Sequence, residues 1–524
     1  MSMQRRAWLI EAGRLTALAA SGCVGGALAR PLDGPYPFSL GVASGDPLPD
    51  GVILWTRVLH DPLRAEATAP IAYQLRWEVA ADQNFRRVVA KGSVTALPEM
   101  GHSVHVDVRG LAPDRWYWYR FMLGDAVSPV ARTRTAPPPE QLSPAMKLAV
   151  ASCQHWEFGY YTAHRYLAEA APDLVAFVGD YIYEWGPYRL SHAASKEDGE
   201  ESTTLAEYRA RYAQYKSDPL LQGAHHVAPW IVTWDDHEVV NDYANDRDYV
   251  LDPDFLARRA AAYQAFYEHM PIRLQLPANH NFAHTRIERS IDWGQLARFH
   301  ILDDRQYRSW QVCPKPGHGG SNSATLKACP AFLDPARTML GNVQEDWFAA
   351  SLASSRARWN IITQQTLMAQ SNQLPAKDGE GRFWTDGWDG YPVARKRLLE
   401  TVARSRASNP LVLSGDVHTF YATELRPDFF RPAGADNPVV ATEFVGTSIT
   451  SSSRPQARTQ QYVDMNPHLK YGRSDRRGYM LLTVRPQAVD TLFLGLDDVH
   501  KADSAQRTLA SFQVQDGRPA IIRT

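Results

Sequence analysis

Residues 174–183 read Leu-Val-Ala-Phe-Val-Gly-Asp-Tyr-Ile-Tyr. Five consecutive apolar residues that end at a glycine are typical of a strand buried on both faces. Asp180 and Tyr183 follow this strand at its carboxyl end, which is where open α/β sheets bind their ligands. The carboxylate of Asp180 can bridge two cations, and Tyr183 can offer a phenolate to a hard trivalent ion. The stretch therefore predicts a metal site at the edge of a buried sheet.

The size and charge of the chain exclude several classes of protein. With 524 residues it is long enough for two or three domains. Hydrophobic residues make up 44% and charged residues 22% of the chain, as in soluble globular proteins. A formal net charge of −1 argues against binding to anionic polymers or membranes, so we expect no stable nucleic-acid binding.

The first 30 residues are interpreted as an export signal. Arg5 and Arg6 precede an apolar run, and this order resembles a twin-arginine signal. We therefore expect the Tat export machinery as a partner and a periplasmic or secreted location. Processing has two open alternatives, which are signal-peptidase cleavage after residues 27–29 (Ala-Leu-Ala) and lipoprotein processing at Cys23.

The remaining chain divides at a proline-rich linker, residues 136–140 (Ala-Pro-Pro-Pro-Glu). Residues 36–135 contain short β-branched and aromatic runs separated by turn residues, which predicts an immunoglobulin-like β-sandwich. Residues 145–500 alternate buried strands with helical segments, which predicts a layered α/β catalytic domain. We expect residues 501–524 to form a C-terminal tail.

Five apolar runs of the α/β region end in polar side chains that can bind metals or anions. These ends are Cys153, Asp180 with Tyr183, Asp235-Asp236-His237, Asp303 with Arg305, and Asp416 with His418. Each cluster alone also fits a helix cap, a turn or a surface ion pair. Parallel strands that bring all five to one edge would instead form a shared cation site. Two metal ions there can clamp a phosphoryl group and generate hydroxide near neutral pH.

These motifs together resemble those of the PhoD family of alkaline phosphatases and phosphodiesterases. The resemblance covers essentially the whole mature chain. It rests on residues 151–154 (Ala-Ser-Cys-Gln), 179–183 (Gly-Asp-Tyr-Ile-Tyr), 234–238 (Trp-Asp-Asp-His-Glu), 304–308 (Asp-Arg-Gln-Tyr-Arg), Gly341 with 344–348 (Gln-Glu-Asp-Trp-Phe), and 414–418 (Ser-Gly-Asp-Val-His).

The resemblance implies a fold and a set of metal ligands. The fold is a calcineurin-like metallophosphoesterase core, an α/β/β/α sandwich, preceded by the all-β immunoglobulin-like domain. The implied cofactors are Fe³⁺ and Ca²⁺. Iron would be bound by Cys153, Asp180, Tyr183 and His418, and calcium by Asp180, Asp236 and Asp416, with Asn241 as a weaker candidate. Oxygen-rich sites prefer hard ions such as calcium, which agrees with this assignment.

Two further residues are candidates for a catalytic role. His237 can donate a proton to the leaving oxygen or clamp the phosphoryl group. Arg305 can neutralise developing charge, or it can serve only to orient Asp303.

The four cysteines allow one disulfide once Cys153 is assigned to the metal. Cys23 lies in the signal, and Cys313 and Cys329 flank a polar loop that a disulfide could close in an oxidising compartment. We predict that Cys313 and Cys329 are bonded.

The predicted function is an exported, metal-dependent alkaline phosphatase or phosphodiesterase that hydrolyses small phosphate esters or phosphodiesters as a monomer. One alternative is a phospholipase-D-like activity at the same site, and another is a non-catalytic extracellular metal-binding protein. Thiol and imidazole groups among the clustered residues weigh against the last, because a structural calcium site needs neither. Two insertions, residues 191–204 and 378–391, carry the substrate preference, and Phe383, Trp384 and Trp388 are candidate lid residues.

Overall fold

The computed structural model describes residues 35–185, 201–276, 281–374 and 381–524. The predicted export signal lies outside these residues, as does most of the insertion at residues 191–204.

The strands of the N-terminal region are β1 Val42–Leu48, β2 Gly51–Arg57, β3 Tyr73–Ala80, β4 Val88–Ala96, β5 Ser103–Arg109, β6 Trp116–Leu123, β7 Ala126–Val127 and β8 Ala131–Arg134. The next group is β9 Met146–Ala151, β10 Leu174–Val178, β11 Trp230–Thr233, β12 Arg289–Trp293, β13 Ala297–Ile301, β14 Ser323–Thr325, β15 Trp359–Thr363, β16 Arg382–Trp384 and β17 Pro410–Ser414. The last group is β18 Phe420–Leu425, β19 Ala441–Val445, β20 Leu469–Arg473, β21 Gly478–Val484, β22 Ala488–Leu496, β23 Gln506–Gln515 and β24 Arg518–Arg523.

The α-helices of the described residues are α1 Thr162–Glu169, α2 Leu205–Lys216, α3 Pro219–His225, α4 Phe255–His269, α5 Gly341–Ser354, α6 Pro392–Ser405 and α7 Gln456–Met465. None of them has the length and apolar character needed to cross a membrane.

Two sheets pack face to face and form the core of the molecule. The first sheet has the order β24-β23-β22-β21-β9-β10-β11-β1-β2-β5, and the second has the order β12-β13-β15-β17-β19-β18-β20. Successive residues of a buried strand face opposite sides. Ala176 of β10 therefore packs between the sheets, whereas Val175 packs against the helical layer that contains Leu167 and Leu221. The second sheet is covered in the same way by α5 and α6. The predicted α/β/β/α core is confirmed.

The N-terminal β region forms a sandwich that shares a sheet with the α/β core. Strands β3, β4, β6, β7 and β8 form a separate sheet, and its residues Leu75 and Tyr119 pack against Val52 and Val106 of the first sheet. The other half of the sandwich consists of β1, β2 and β5, which continue the first sheet because β1 lies beside β11 in parallel. Residues 36–135 are therefore all-β as predicted, but the sheet runs through the linker boundary.

The predicted C-terminal tail is wrong. Residues 501–524 contain β23 and β24, which pair antiparallel at the end of the first sheet. Phe512 and Val514 alternate with polar residues and pack into the core between the sheets, and Gly517 turns the chain in the left-handed region (φ +71°). Alternation followed by Asp516-Gly517 is a hairpin signal, which the sequence prediction overlooked.

The apolar run at residues 291–302 lies within the hairpin β12–β13. Gly294 lies at the turn with φ +55°, and a Cβ there would come within 2.4 Å of the Gln141 carbonyl oxygen. Only glycine fits this close approach, and the chain therefore reverses inside an apolar run.

Lys216, the last residue of α2, is buried between aromatic rings without a carboxylate partner among the described residues. Its ammonium lies 4.2 Å from the centroid of the Trp55 ring and 5.2 Å from that of Tyr181. Burial lowers the pKa of Lys216 to about 7. This shift corresponds to a penalty of about 5 kcal/mol on the charged form, and the rings offset about 2 kcal/mol of it. We expect Lys216→Met to raise the free energy of unfolding by about 3 kcal/mol below pH 7.

This gain depends on pH in a defined direction. Below the folded pKa the lysine is charged in both states and the full penalty acts, whereas above its unfolded pKa of about 10.4 it is neutral in both. Burial lowers the pKa of His105 and His226 to about 4, so these neighbours stay neutral across the window. Thermal unfolding from pH 6.5 to 10.5 should show the two proteins converging as the pH rises. An equal gain at every pH would contradict the charge-burial explanation.

Candidate metal centre

Strands from both sheets end at the candidate site. In the first sheet β9, β10 and β11 are parallel, and in the second β13, β15 and β17 are parallel. The carboxyl ends of parallel strands meet at one edge, and here the edges of two sheets adjoin. The loops after β9, β10, β11 and β17 supply Cys153, Asp180, Asp236 and Asp416 with His418. The predicted convergence is correct, although the strands come from two sheets rather than one.

One group of side chains has the donor set predicted for iron. Ligand atoms of Cys153, Asp180 and His418 lie within 4.8 Å of one another. The Tyr183 hydroxyl donates a 2.8 Å hydrogen bond to Oδ2 of Asp180 and lies 3.1 Å from Nε2 of His418. Burial and the charge of Asp180 raise the pKa of both Cys153 and Tyr183 well above their usual ranges. A cation would have to displace both protons in order to bind thiolate and phenolate.

Neighbouring groups fix the orientation of these donors. His418 has Nδ1 at 2.6 Å from the backbone carbonyl of Ser452, which makes Nδ1 the protonated nitrogen and leaves Nε2 facing the centre. Ser451 donates a 2.7 Å hydrogen bond to the Tyr183 hydroxyl. The sequence prediction missed Ser451, because it lies in a serine-rich loop with no motif of its own.

A second, carboxylate-rich group lies beside the first. Asp235, Asp236 and Asp416 form one cluster, and Asp180 and Asp236 form another with His237. Asn241 lines the same cavity, and its backbone N–H donates a 2.8 Å hydrogen bond to Glu184. Thr366, which follows β15, donates a hydrogen bond to Oδ2 of Asp416.

The carboxylates form a site that favours cations. Oδ1 of Asp180 and Oδ2 of Asp235 are buried without a hydrogen-bond partner. Burial raises the pKa of Asp416 to about 7 against the opposing charge of Arg305, and burial together with Asp386 raises the pKa of Asp242 to about 8. Buried carboxylate oxygens require a partner, and a cation supplies one. The donor set therefore fits a pair of cations that share Asp180.

Four of the predicted ligands have strained backbones. Cys153, Asp180, Asp416 and His418 have φ between +52° and +59°. Residues with a Cβ enter this left-handed region at a cost of about 1–2 kcal/mol each. Such strain persists where surrounding structure holds it, and it is concentrated at functional sites. The tight turns direct each ligand back across the strand ends toward the centre.

His237 is positioned by Glu184, which the sequence prediction missed. Nδ1 of His237 lies 2.8 Å from Oε2 of Glu184, whose side chain is fully buried. Although burial lowers the pKa of His237, the charges of Glu184 and Asp180 raise it well above its usual range. The imidazole lines the cavity, and this shift favours its protonated form. Glu184 directly follows Tyr183 in the loop after β10. An acidic residue next to a candidate ligand was the sequence signal that could have identified it.

Arg305 lies beneath the carboxylates and is absent from the cavity wall. Its guanidinium is fully buried, with Nε 2.5 Å from Asp235 and Nη1 2.6 Å from Asp386. Its Nη2 lies 3.6 Å from Asp236 and 3.9 Å from Asp416. Arg305 therefore does not touch a substrate in the cavity, and its neutralisation of developing charge stays a prediction. Arg305 instead balances the acidic cluster.

Asp303 has a structural role in the described residues. Its Oδ1 accepts hydrogen bonds of 2.9 Å from the backbone N–H groups of Arg305 and Gln306. Arg305 contacts Asp303 through its backbone N–H, and its guanidinium has no hydrogen bond to Asp303 among the described residues. Asp303 is a turn residue, and this is the structural interpretation that its motif left open.

The cavity over the site has a volume of about 430 Å³. Trp384 and Trp388 line it, as predicted for the lid, but Phe383 faces away and packs against Phe332. The predicted disulfide between Cys313 and Cys329 is present. Cys329 packs with Phe383, so the disulfide loop supports the strand that carries Trp384.

Comparison with known proteins agrees with this geometry. Residues 148–493 match the model of the PhoD-like phosphatases, and residues 25–137 match that of the PhoD-like phosphatase N-terminal domain. The chain is 41% identical to alkaline phosphatase D of Bacillus subtilis (strain 168) over 503 residues, which are 94% of this chain and 83% of that protein. A solved structure described as PhoD superposes with a TM-score of 0.87 at 40% identity, covering 94% of this chain and 93% of the other. The chain therefore belongs to the PhoD-like phosphatase family, and it is a phosphoric ester hydrolase.

Proposed function

We propose that this hydrolase binds Fe³⁺ through Cys153, Asp180, Tyr183 and His418, and Ca²⁺ through Asp180, Asp236, Asp416 and Asn241. The observation that carries the proposal is that Asp180 belongs both to the group with thiol and imidazole donors and to a carboxylate group. Thiolate, phenolate and imidazole suit ferric iron, whereas several carboxylate oxygens suit calcium. When bound, the cations would neutralise the phosphoryl oxygens and activate a water for in-line attack.

The protein's own groups supply the remaining chemistry. His237 faces the cavity and in its protonated form can transfer a proton to the leaving oxygen. Its Nδ1 stays hydrogen-bonded to Glu184. Arg305 reduces repulsion among the carboxylates from below: despite burial, its charge holds the pKa of Asp236 below its usual range, and it opposes the rise that burial causes in the pKa of Asp235. The substrates are phosphate monoesters or diesters, and no observation favours the phospholipase-D-like alternative.

The proposed location is outside the cytoplasm. The disulfide between Cys313 and Cys329 supports an oxidising compartment, and residues 1–30 have the pattern of a twin-arginine signal. Fe³⁺ and Ca²⁺ would then be carried by a protein that crosses the membrane already folded.

Metal analysis and visible spectroscopy test the assignment of the two ions. Thiolate and phenolate bound to ferric iron should give charge-transfer absorption, so we expect a coloured protein. A calcium-selective chelator should abolish turnover of p-nitrophenyl phosphate without removing the colour, and added calcium should restore it. A colourless, fully active preparation that contains zinc and no iron would overturn the proposal, as would restoration by zinc rather than calcium.

A further inference from the structure

Two arginines form one side of the cavity over the metal centre. Arg454 and Arg458 line the same cavity as Asp180, Asp236 and His418. The mechanism described above uses neither of them. They differ from Arg305, which balances the acidic cluster from below and does not reach the cavity.

Arg454 lies immediately beside the metal-ligand loop. Its Nη2 is 3.5 Å from the carbonyl oxygen of Val417, the residue between Asp416 and His418. Its guanidinium carbon lies 5.3 Å from the centroid of the Tyr462 ring. The side chain is half-buried, so its position is restricted while part of the guanidinium faces the cavity.

Arg458 extends the same surface outward. Its Nε donates a 2.8 Å hydrogen bond to the Tyr462 hydroxyl, and its guanidinium carbon lies 5.7 Å from that ring. Tyr462 thus supports both arginines on one side of the cavity. Arg458 belongs to the first turn of α7, where no side chain caps the helix, so the positive end of the helix lies beside the two guanidinium groups.

Neither guanidinium is neutralised by the described part of the chain. Arg473 pairs with Asp475 at 2.7 Å and Arg507 pairs with Asp497 at 2.6 Å, but no described carboxylate lies within 4.0 Å of Arg454 or Arg458. Two positive charges that lie side by side repel each other, and an anion between them removes this repulsion. A purely structural pair of arginines would not need to face a cavity.

We propose that Arg454 and Arg458 bind a second phosphate group of the substrate, beyond the phosphoryl group that is hydrolysed. The inference rests on the proposed function and narrows its substrate class to small esters that carry two phosphates. Guanidinium groups match the oxygens of phosphate in bidentate geometry, and charge-assisted hydrogen bonds of this kind are strong. The scissile group would lie over Asp180, Asp236 and Asp416, and the second phosphate against Tyr462 and the arginines.

A matched pair of diesters tests the inference. The metal-loaded enzyme should hydrolyse 3-phosphopropyl p-nitrophenyl phosphate with a kcat/KM about 30-fold above that of propyl p-nitrophenyl phosphate. In Arg458→Gln and in Arg454→Gln this ratio should fall toward 1, mainly through KM. The control is Arg404→Gln, which changes an exposed residue of α6 that pairs with Glu400 and Thr401 of its own helix, and it should keep the wild-type ratio.

Binding measurements separate this inference from the proposed function. Calorimetry should show that the wild type binds propane-1,3-bisphosphonate more tightly than propylphosphonate. Arg458→Gln should lose this preference. A wild-type ratio near 1, or a ratio unchanged in both variants, would overturn the inference. If p-nitrophenyl phosphate and both diesters are left intact, the proposed function fails. A bisphosphonate preference that depends on Arg458 would in that case still support the second-phosphate site.

Discussion

Asp416→Ala is expected to lower kcat for p-nitrophenyl phosphate by about 1000-fold, which corresponds to about 4 kcal/mol of barrier. Asp416 contributes to the carboxylate group alone, whereas His418 contributes to the group with thiol and phenol donors. The Asp416 variant should therefore lose activity and its response to calcium while it keeps the iron absorption. His418→Ala should lose the absorption as well as activity.

The comparison of these two variants distinguishes the two ions. Asp292→Ala is a suitable control, because Asp292 is an exposed carboxylate on β12 whose ion pair with Arg298 lies away from the cavity. It should retain activity, iron and calcium. If Asp416→Ala lost the colour while His418→Ala kept it, the assignment of iron and calcium to the two groups would be reversed.

Arg305→Met is expected to lower the free energy of unfolding of the metal-free protein by about 3–5 kcal/mol. Removing the guanidinium leaves Asp235 and Asp386 as buried carboxylates without their cationic partner. It also removes the positive charge that lies 3.6 Å from Asp236 and 3.9 Å from Asp416, so the repulsion among the four carboxylates increases. Urea unfolding of the metal-free and metal-loaded proteins would measure the effect, which should be smaller when cations replace part of the lost charge.

Two further variants show whether the charge or the shape of Arg305 matters. Arg305→Lys keeps the charge but loses the fork that contacts Asp235 and Asp386 together, so it should recover only part of the stability. Arg298→Met removes a half-buried partner of the exposed Asp292 and should change stability by less than about 1 kcal/mol. Equal stability of Arg305→Met and wild type would show that the buried carboxylates are protonated without Arg305.

The layered fold was predictable because its core strands are short, continuous apolar runs that end at glycine or aspartate. The hairpin at β23–β24 was predictable in principle, because its apolar and polar residues alternate. The sequence-based prediction places it in a tail because it follows the segment assigned to the catalytic domain. The turn at Gly294 was harder to predict. Apolar residues flank it on both sides, and only the close approach of the Gln141 carbonyl reveals why the chain reverses there.

The candidate metal ligands could be identified in the sequence because each lies in a loop that closely follows a strand. The residues that position them could not, because they come from distant loops. Asp386 lies in an insertion and contacts Arg305 across a sequence separation of 81 residues, and Ser451 contacts Tyr183 across 268. The position of Arg305 beneath the carboxylates was not predictable, because a sequence shows a charged residue near a motif but not the direction of its side chain.

The first sheet is assembled from both ends of the chain. Its central strands carry Cys153 and Asp180, yet it is extended on one side by β1, which starts at Val42, and on the other by β24, which ends at Arg523. Contacts between residues so distant in sequence form slowly. On the ribosome, β23 and β24 emerge long after the strands that precede the ligand loops. This sheet is therefore completed late, and a nascent chain that still lacks β23 and β24 would expose the edge of β22 to wrong partners.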